Sequence, residues 1–144
     1  MGVDKTKLAE WLSNYDHDNL TIGVVASHSS LQILHGARKE GFRTLGIAVG
    51  ENRRKFYKAF PGADPDEWLM LEDYREMLDY ADWFRKRNVV IIPHGSLVEY
   101  LGSTNFRNLE VPTFGNRGIL HWESSRERQR QWLDKAGCEM PKVI

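Results

Sequence analysis

Val89 to Ile92 are four consecutive β-branched residues, and the chain runs from them through Pro93 directly into "HGSLVEYLG". A strand that is apolar at every position has no solvent face, so it has to be covered on both sides. "TIGVVAS" (21–27) and "TLGIAVG" (44–50) carry the same signature. Between them, "SSLQILHGARKEGF" sets Leu31, Leu34 and Ala37 on one helical stripe and ends at Gly41, a helix stop. Two-sided strands alternating with amphipathic helices predict an α/β fold, a three-layer Rossmann-like domain with a mainly parallel sheet. Right-handed crossovers then bring the carboxyl ends of the strands to one edge.

The remaining chain fits the same alternation. Leu8, Trp11, Leu12 and Tyr15 predict an N-terminal helix, and "WLML" (68–71) predicts a short third strand. "EDYREMLDYADWFRKRN" (72–88) reads as one helix, acidic at its start and basic at its end, in keeping with the helix dipole. "VPTFG" (111–115) is expected as a brief strand, and "SSRERQRQWLDKAG" (124–137) as a final helix closed by Gly137. "ENRRKFYKAFPGADPDE" (51–67) reads as a basic loop. With 144 residues and no repeat, residues 1–144 are expected to form a single domain.

Composition narrows the function. Twenty Lys and Arg balance twenty Asp and Glu, which argues against a non-specific nucleic-acid binder. Cys138 is the only cysteine, so an internal disulfide and a cysteine-rich zinc site are excluded and a reducing, cytoplasmic setting is expected. No stretch approaches the ~20 apolar residues of a membrane span. The histidines at 17, 28, 35, 94 and 121 show no ligand spacing, so no metal site is expected. There is no GxGxxG, no P-loop and no GxSxG elbow.

What stands out is a repeated junction: Ser27-His28-Ser29-Ser30 and His94-Gly95-Ser96 each join a buried strand to a helix. In such sheets ligands bind beyond the carboxyl ends of the strands, where free helix N–H groups favour an anion. His28, Ser29, Gly95 and Ser96 are therefore candidate contacts to a phosphorylated small molecule. Gly95 leaves the backbone open to close approach. Arg117, in "FGNRGILHWESS", is a further candidate as a planar fork for phosphate or carboxylate. Each has a plainer alternative: the serines as N-caps, the histidines as structural hydrogen-bonders, and Arg117 as a partner of Glu123 or Glu127. No catalytic residue is assigned, and His28 and His94 remain candidates for a general base.

"ASHSSLQILHGARKEGF", "VVIIPHGSLVEYLG" and "VPTFGNRGILHWES" with "WLDKAGCEMPK" together resemble the N-terminal, pre-ATP-grasp domain of the archaeal formate-dependent AICAR ligases (FAICAR synthetase, PurP). The similarity runs in order from about Thr21 to Lys142. It implies a ligase of purine and IMP biosynthesis that converts ATP, formate and AICAR to ADP, phosphate and FAICAR. Carried onto this chain, it implies that His28 and Ser96 contact AICAR. Ala26 stands where glycine can occur, and His121 where an arginine is expected. The family's ATP and Mg²⁺ residues belong to an ATP-grasp portion with no counterpart here, so this chain alone is expected to hold neither. The resemblance implies AICAR or a related purine ribotide, and formate, as partners, and either a homo-oligomer or an attached ATP-grasp domain. The rival reading is a stand-alone, non-catalytic ribotide-binding or interaction module.

Overall fold

The computed structural model describes residues 3–142. Four strands form one sheet: β1 (Thr21–Val25), β2 (Arg43–Val49), β3 (Glu67–Leu71) and β4 (Val89–Ile91). They lie in the order β3-β2-β1-β4, and every pairing is parallel. The helices are α1 (Lys5–Ser13), α2 (Ser30–Lys39), α3 (Glu51–Tyr57), α4 (Ala81–Lys86), α5 (Gly95–Leu101), α6 (Ser103–Asn108), α7 (Ile119–Glu123) and α8 (Arg126–Lys135). No helix of the described residues is long and apolar enough to cross a membrane.

Alternation along the strands builds two cores, one per face. Val24, Ala26 and Ala48 pack with Leu34 of α2 and Tyr57 of α3. Val25, Ile47, Leu69, Leu71 and Ile91 point the other way, against Met77, Phe84, Leu97, Leu101 and Phe106. This is the predicted helix–sheet–helix arrangement, and the uninterrupted apolar runs are its direct cause: adjacent residues serve opposite layers.

Several local expectations are corrected. The expected loop at 51–67 begins with α3, which buries only Tyr57 and so shows no apolar stripe. The expected helix at 72–88 is two pieces, a 3-10 helix at Tyr74–Leu78 started by an Asp73–Glu76 capping box, and then α4. "VPTFG" makes a single parallel bridge, Thr113 to Ile91, rather than a strand. Phe114 N–H donates to the Ile91 carbonyl (2.9 Å), so this segment still runs along the outer side of β4. α6 and α7 were not foreseen.

Two glycines show opposite constraints. At Gly46 a Cβ would lie 2.6 Å from Pro65 and 2.7 Å from the Trp68 ring, whereas at Gly36, inside α2, it would meet nothing within 4 Å. Gly46→Ala should therefore lower stability by about 1–3 kcal/mol through overpacking. Gly36→Ala should raise it by about 0.5–1 kcal/mol, by removing backbone freedom from a helix interior. Urea denaturation of the two variants beside the wild type reads both signs.

Candidate functional site

From β1 the chain steps outward to β2 and β3, then returns to the opposite side of β1 with β4. The order therefore reverses between β1 and β4, and the crevice beyond their carboxyl ends is where a sheet of this kind accepts ligands. Both histidine–serine junctions leave the sheet at that point.

At the β1 junction the backbone is tied into a buried polar knot. Ser30 Oγ accepts the Ser27 N–H and donates to the Ser27 carbonyl, each at 2.8 Å. The Tyr57 hydroxyl donates to the same carbonyl at 2.6 Å and lies against Ser30 Oγ. Burial pushes the Tyr57 phenol pKa up, holding it neutral as a donor. The knot leaves His28 exposed on a cavity of about 430 Å³ lined also by Gly50, Asn52, Arg53 and Phe56. Ser29 takes the N-cap position of α2, yet its side chain makes no capping bond, and it does not line that cavity.

At the β4 junction His94, not Ser96, is the N-cap residue of α5, and it caps nothing with its side chain. Ser96 falls within the first turn and is 8% exposed, so an N-cap role does not explain it. A cavity of about 570 Å³ opens beside His94, Gly95, Val98, Glu99, Leu120 and Glu123. A Cβ at Gly95 would meet nothing within 4 Å, so the backbone there is open.

His94 joins the two junctions. Its Nε2 lies 2.9 Å from the Val25 carbonyl, which accepts only, so Nε2 carries the proton. Nδ1 is then an acceptor, and it is the one buried side-chain polar atom among the described residues without a partner. Burial lowers the His94 pKa below the usual 6.5, against the bond to Val25, and the nearby charge of His28 lowers it further.

Arg117 stands apart. Its guanidinium donates to the carbonyls of Phe106, Leu109 and Val111 and lies 5.5 Å from the Phe106 ring. Burial lowers its pKa to about 10. These donors close the end of α6 and the turn after it, and neither Glu123 nor Glu127 pairs with it. Arg117 thus serves as a backbone clamp, with the bonds of its guanidinium directed to carbonyls of its own surroundings.

Arg53 and Tyr100 belong to the same edge and were not singled out from sequence. Arg53 Nη2 donates to the Tyr100 hydroxyl at 3.1 Å, and Tyr100 stacks on Tyr74 with centroids 5.0 Å apart. This links α3 to α5 across the crevice. The available signal was positional: Arg53 follows the end of β2, on the edge where the junctions lie.

Comparison with known proteins bears on the family and the fold. Residues 22–144 match the family model described as Protein of unknown function (DUF1246). The chain is 57% identical over 142 residues to the 5-formaminoimidazole-4-carboxamide-1-(beta)-D-ribofuranosyl 5'-monophosphate synthetase 1 of Methanosarcina mazei, covering 99% of this chain and 40% of the relative. It thus spans about two fifths of the length of the curated relatives it matches. Among solved structures, an IMP biosynthesis protein PurP from Thermococcus kodakaraensis superposes with a TM-score of 0.70 at 37% identity, over 85% of this chain and 39% of that one. The phosphoribosylaminoimidazole carboxylase ATPase subunit of Aquifex aeolicus shares the fold at a TM-score of 0.52 and 18% identity, over 87% of this chain and 36% of that one.

The depressed His94 pKa makes stability depend on pH. Unfolding returns the ring to its ordinary pKa, so below about 6.5 the unfolded chain binds more protons than the folded one. The contribution of neutral His94 is complete above that value and is lost as pH falls toward the lower, folded pKa. Thermal melts between pH 7.5 and 5 should show an acid-side loss in the wild type that is smaller in His94→Gln. Identical pH profiles for the two proteins would contradict it.

Proposed function

This chain belongs to the family described as Protein of unknown function (DUF1246), and on that premise we propose that it recognises AICAR within a formate-dependent purine ligase. The observation that carries the reading is the contrast between the two cavities at this edge. One side presents His28 and Arg53 next to Gly50, and suits a phosphate. The other presents His94, Glu99 and Glu123 next to Gly95, and suits N–H donors. AICAR has a phosphate at one end and an amine and a carboxamide at the other. The names of the curated relatives, FAICAR synthetases, support the same ligand class.

In this reading the chain's own contribution is positioning. The Ser27–Ser30–Tyr57 knot fixes His28 against the ribotide, Ser96 adds a hydroxyl from the first turn of α5, Gly95 borders the path of the ligand, and Ser29 opens α2 beside His28. Holding the amine still in one cleft converts an encounter of several bodies into a reaction within one complex. ATP supplies activation of formate in the proposed reaction. Among the described residues no three His, Cys, Asp or Glu side chains converge as a metal site, so no step is routed through Mg²⁺ on this chain. Nucleotide and metal are assigned to the further length of the longer relatives, and residues 1–144 to a single substrate-recognising domain.

Calorimetric titration of the chain with AICAR and, separately, with ATP–Mg²⁺ tests this. AICAR should bind and ATP–Mg²⁺ should not. Ser96→Ala should weaken AICAR binding about tenfold or more, since a hydrogen bond to a charged group is worth about 1.5–3 kcal/mol and about 1.4 kcal/mol is a decade. His28→Ala and Arg53→Gln should each weaken AICAR more than the nucleoside that lacks the phosphate. AICAR affinity untouched in all three variants would remove the crevice from consideration.

A further inference from the structure

The histidine at the β4 junction holds an acceptor that the protein itself does not use. His94 Nδ1 is buried, without a partner among the described residues, while the opposite nitrogen is fixed as a donor by the Val25 carbonyl at 2.9 Å. The ring cannot flip to expose a donor without giving up that bond and setting Cδ2 or Cε1 against the carbonyl. A desolvated acceptor costs free energy in the folded protein. Such a cost persists at functional sites, where a ligand can supply the missing partner.

The surroundings decide what kind of partner. His94 lines the same cavity as Glu99, Glu123 and Ser124, so the side chains around it offer two carboxylates and a single hydroxyl donor. Neutral His94 adds a third acceptor of fixed direction. A ligand carboxylate placed here would lie near two carboxylates, while an amide or amine N–H would lie among groups able to accept it.

We propose that His94 is the specificity-determining residue of this crevice: its Nδ1 accepts an N–H from the ligand and so selects the 4-carboxamide of the ribotide over a 4-carboxylate. This rests on the AICAR reading above and deepens it. The role is one of recognition, and no proton leaves the ligand in it.

Two substitutions separate recognition from structure. His94→Gln keeps an amide N–H within reach of the Val25 carbonyl and removes the ring acceptor at the δ position. His94→Asn does the reverse, placing an amide oxygen near Nδ1 and giving up the bond to Val25. Thermal melts without ligand, and titrations with AICAR and with the analogue carrying a 4-carboxylate, are run on both variants and on the wild type.

His94→Gln should melt near the wild-type temperature, because the bond to the Val25 carbonyl is kept. Its AICAR affinity should nonetheless fall roughly tenfold, and its preference for carboxamide over carboxylate should shrink. His94→Asn should melt lower and yet bind AICAR better than His94→Gln. If affinity instead tracks melting temperature, with Gln near wild type and Asn poor, His94 is an anchor for β1 and the proposal falls. If the wild type discriminates by less than about threefold between the two ribotides, the proposal also falls, and the AICAR reading stands. No AICAR binding by the wild-type chain overturns that reading and this inference together.

Discussion

The carboxyl edge of this domain depends on β1 being gripped from both sides in register. Gly23 pairs with Leu45 of β2 and with Ile91 of β4. A Cβ on Gly23 would stand 2.7 Å from Val89 and 2.9 Å from Ile91. The missing side chain is what lets side chains of β4 close over β1, and that closure sets the second junction beside the first. Glycine in the middle of a strand is costly in entropy. Here the cost is met by a position that no larger residue can occupy without moving β4, and with it His94.

Polar groups then hold what the apolar core has aligned. Beyond Val25 the chain cannot continue the sheet, and its free carbonyls at Val25 and Ser27 need donors. His94 supplies one, Tyr57 and Ser30 the other. These donors come from β4's exit, from α3 and from α2, so three separate elements are fixed to the end of one strand. Arg117 repeats the device on the far side by collecting three carbonyls around the end of α6. Nearly every buried polar group is thus consumed by the architecture. A lone pair left over on a locked ring is conspicuous against that background, and its persistence is most simply understood as selection for something other than stability.

The sequence revealed the sheet because two-sided burial leaves an unbroken apolar run, and it revealed the junctions because histidine and serine interrupt those runs abruptly. It did not reveal α3, whose seven residues bury a single side chain. Nor could it show which donors were already spent. Arg117 looks the same in a sequence whether it faces a phosphate or three backbone carbonyls, since carbonyls carry no letter. The link between His94 and Val25 spans 69 residues, and that between Arg53 and Tyr100 spans 47, so neither leaves a periodic trace. The basic run at Arg53 to Lys55 shows the limit most clearly: the next residue, Arg54, pairs locally with Glu51, while Arg53 reaches across the crevice.

That difference explains how a chain of zero formal net charge can still present an asymmetric cleft. Long-range steering of an anion needs a summed field, which balanced charges cancel beyond a Debye length of about 10 Å. Recognition at contact needs only local asymmetry in a partly desolvated groove, and there each charge counts for more. Arg53 and His28 line one cavity at this edge and Glu99, Glu123 and His94 line another, so unlike charges are separated locally although the chain's formal net charge is zero. A ligand with a charge at one end and donors at the other would be oriented by that separation, and the same ligand reversed would meet repulsion at both ends. Under the proposed function, orientation more than affinity is what such a cleft would contribute.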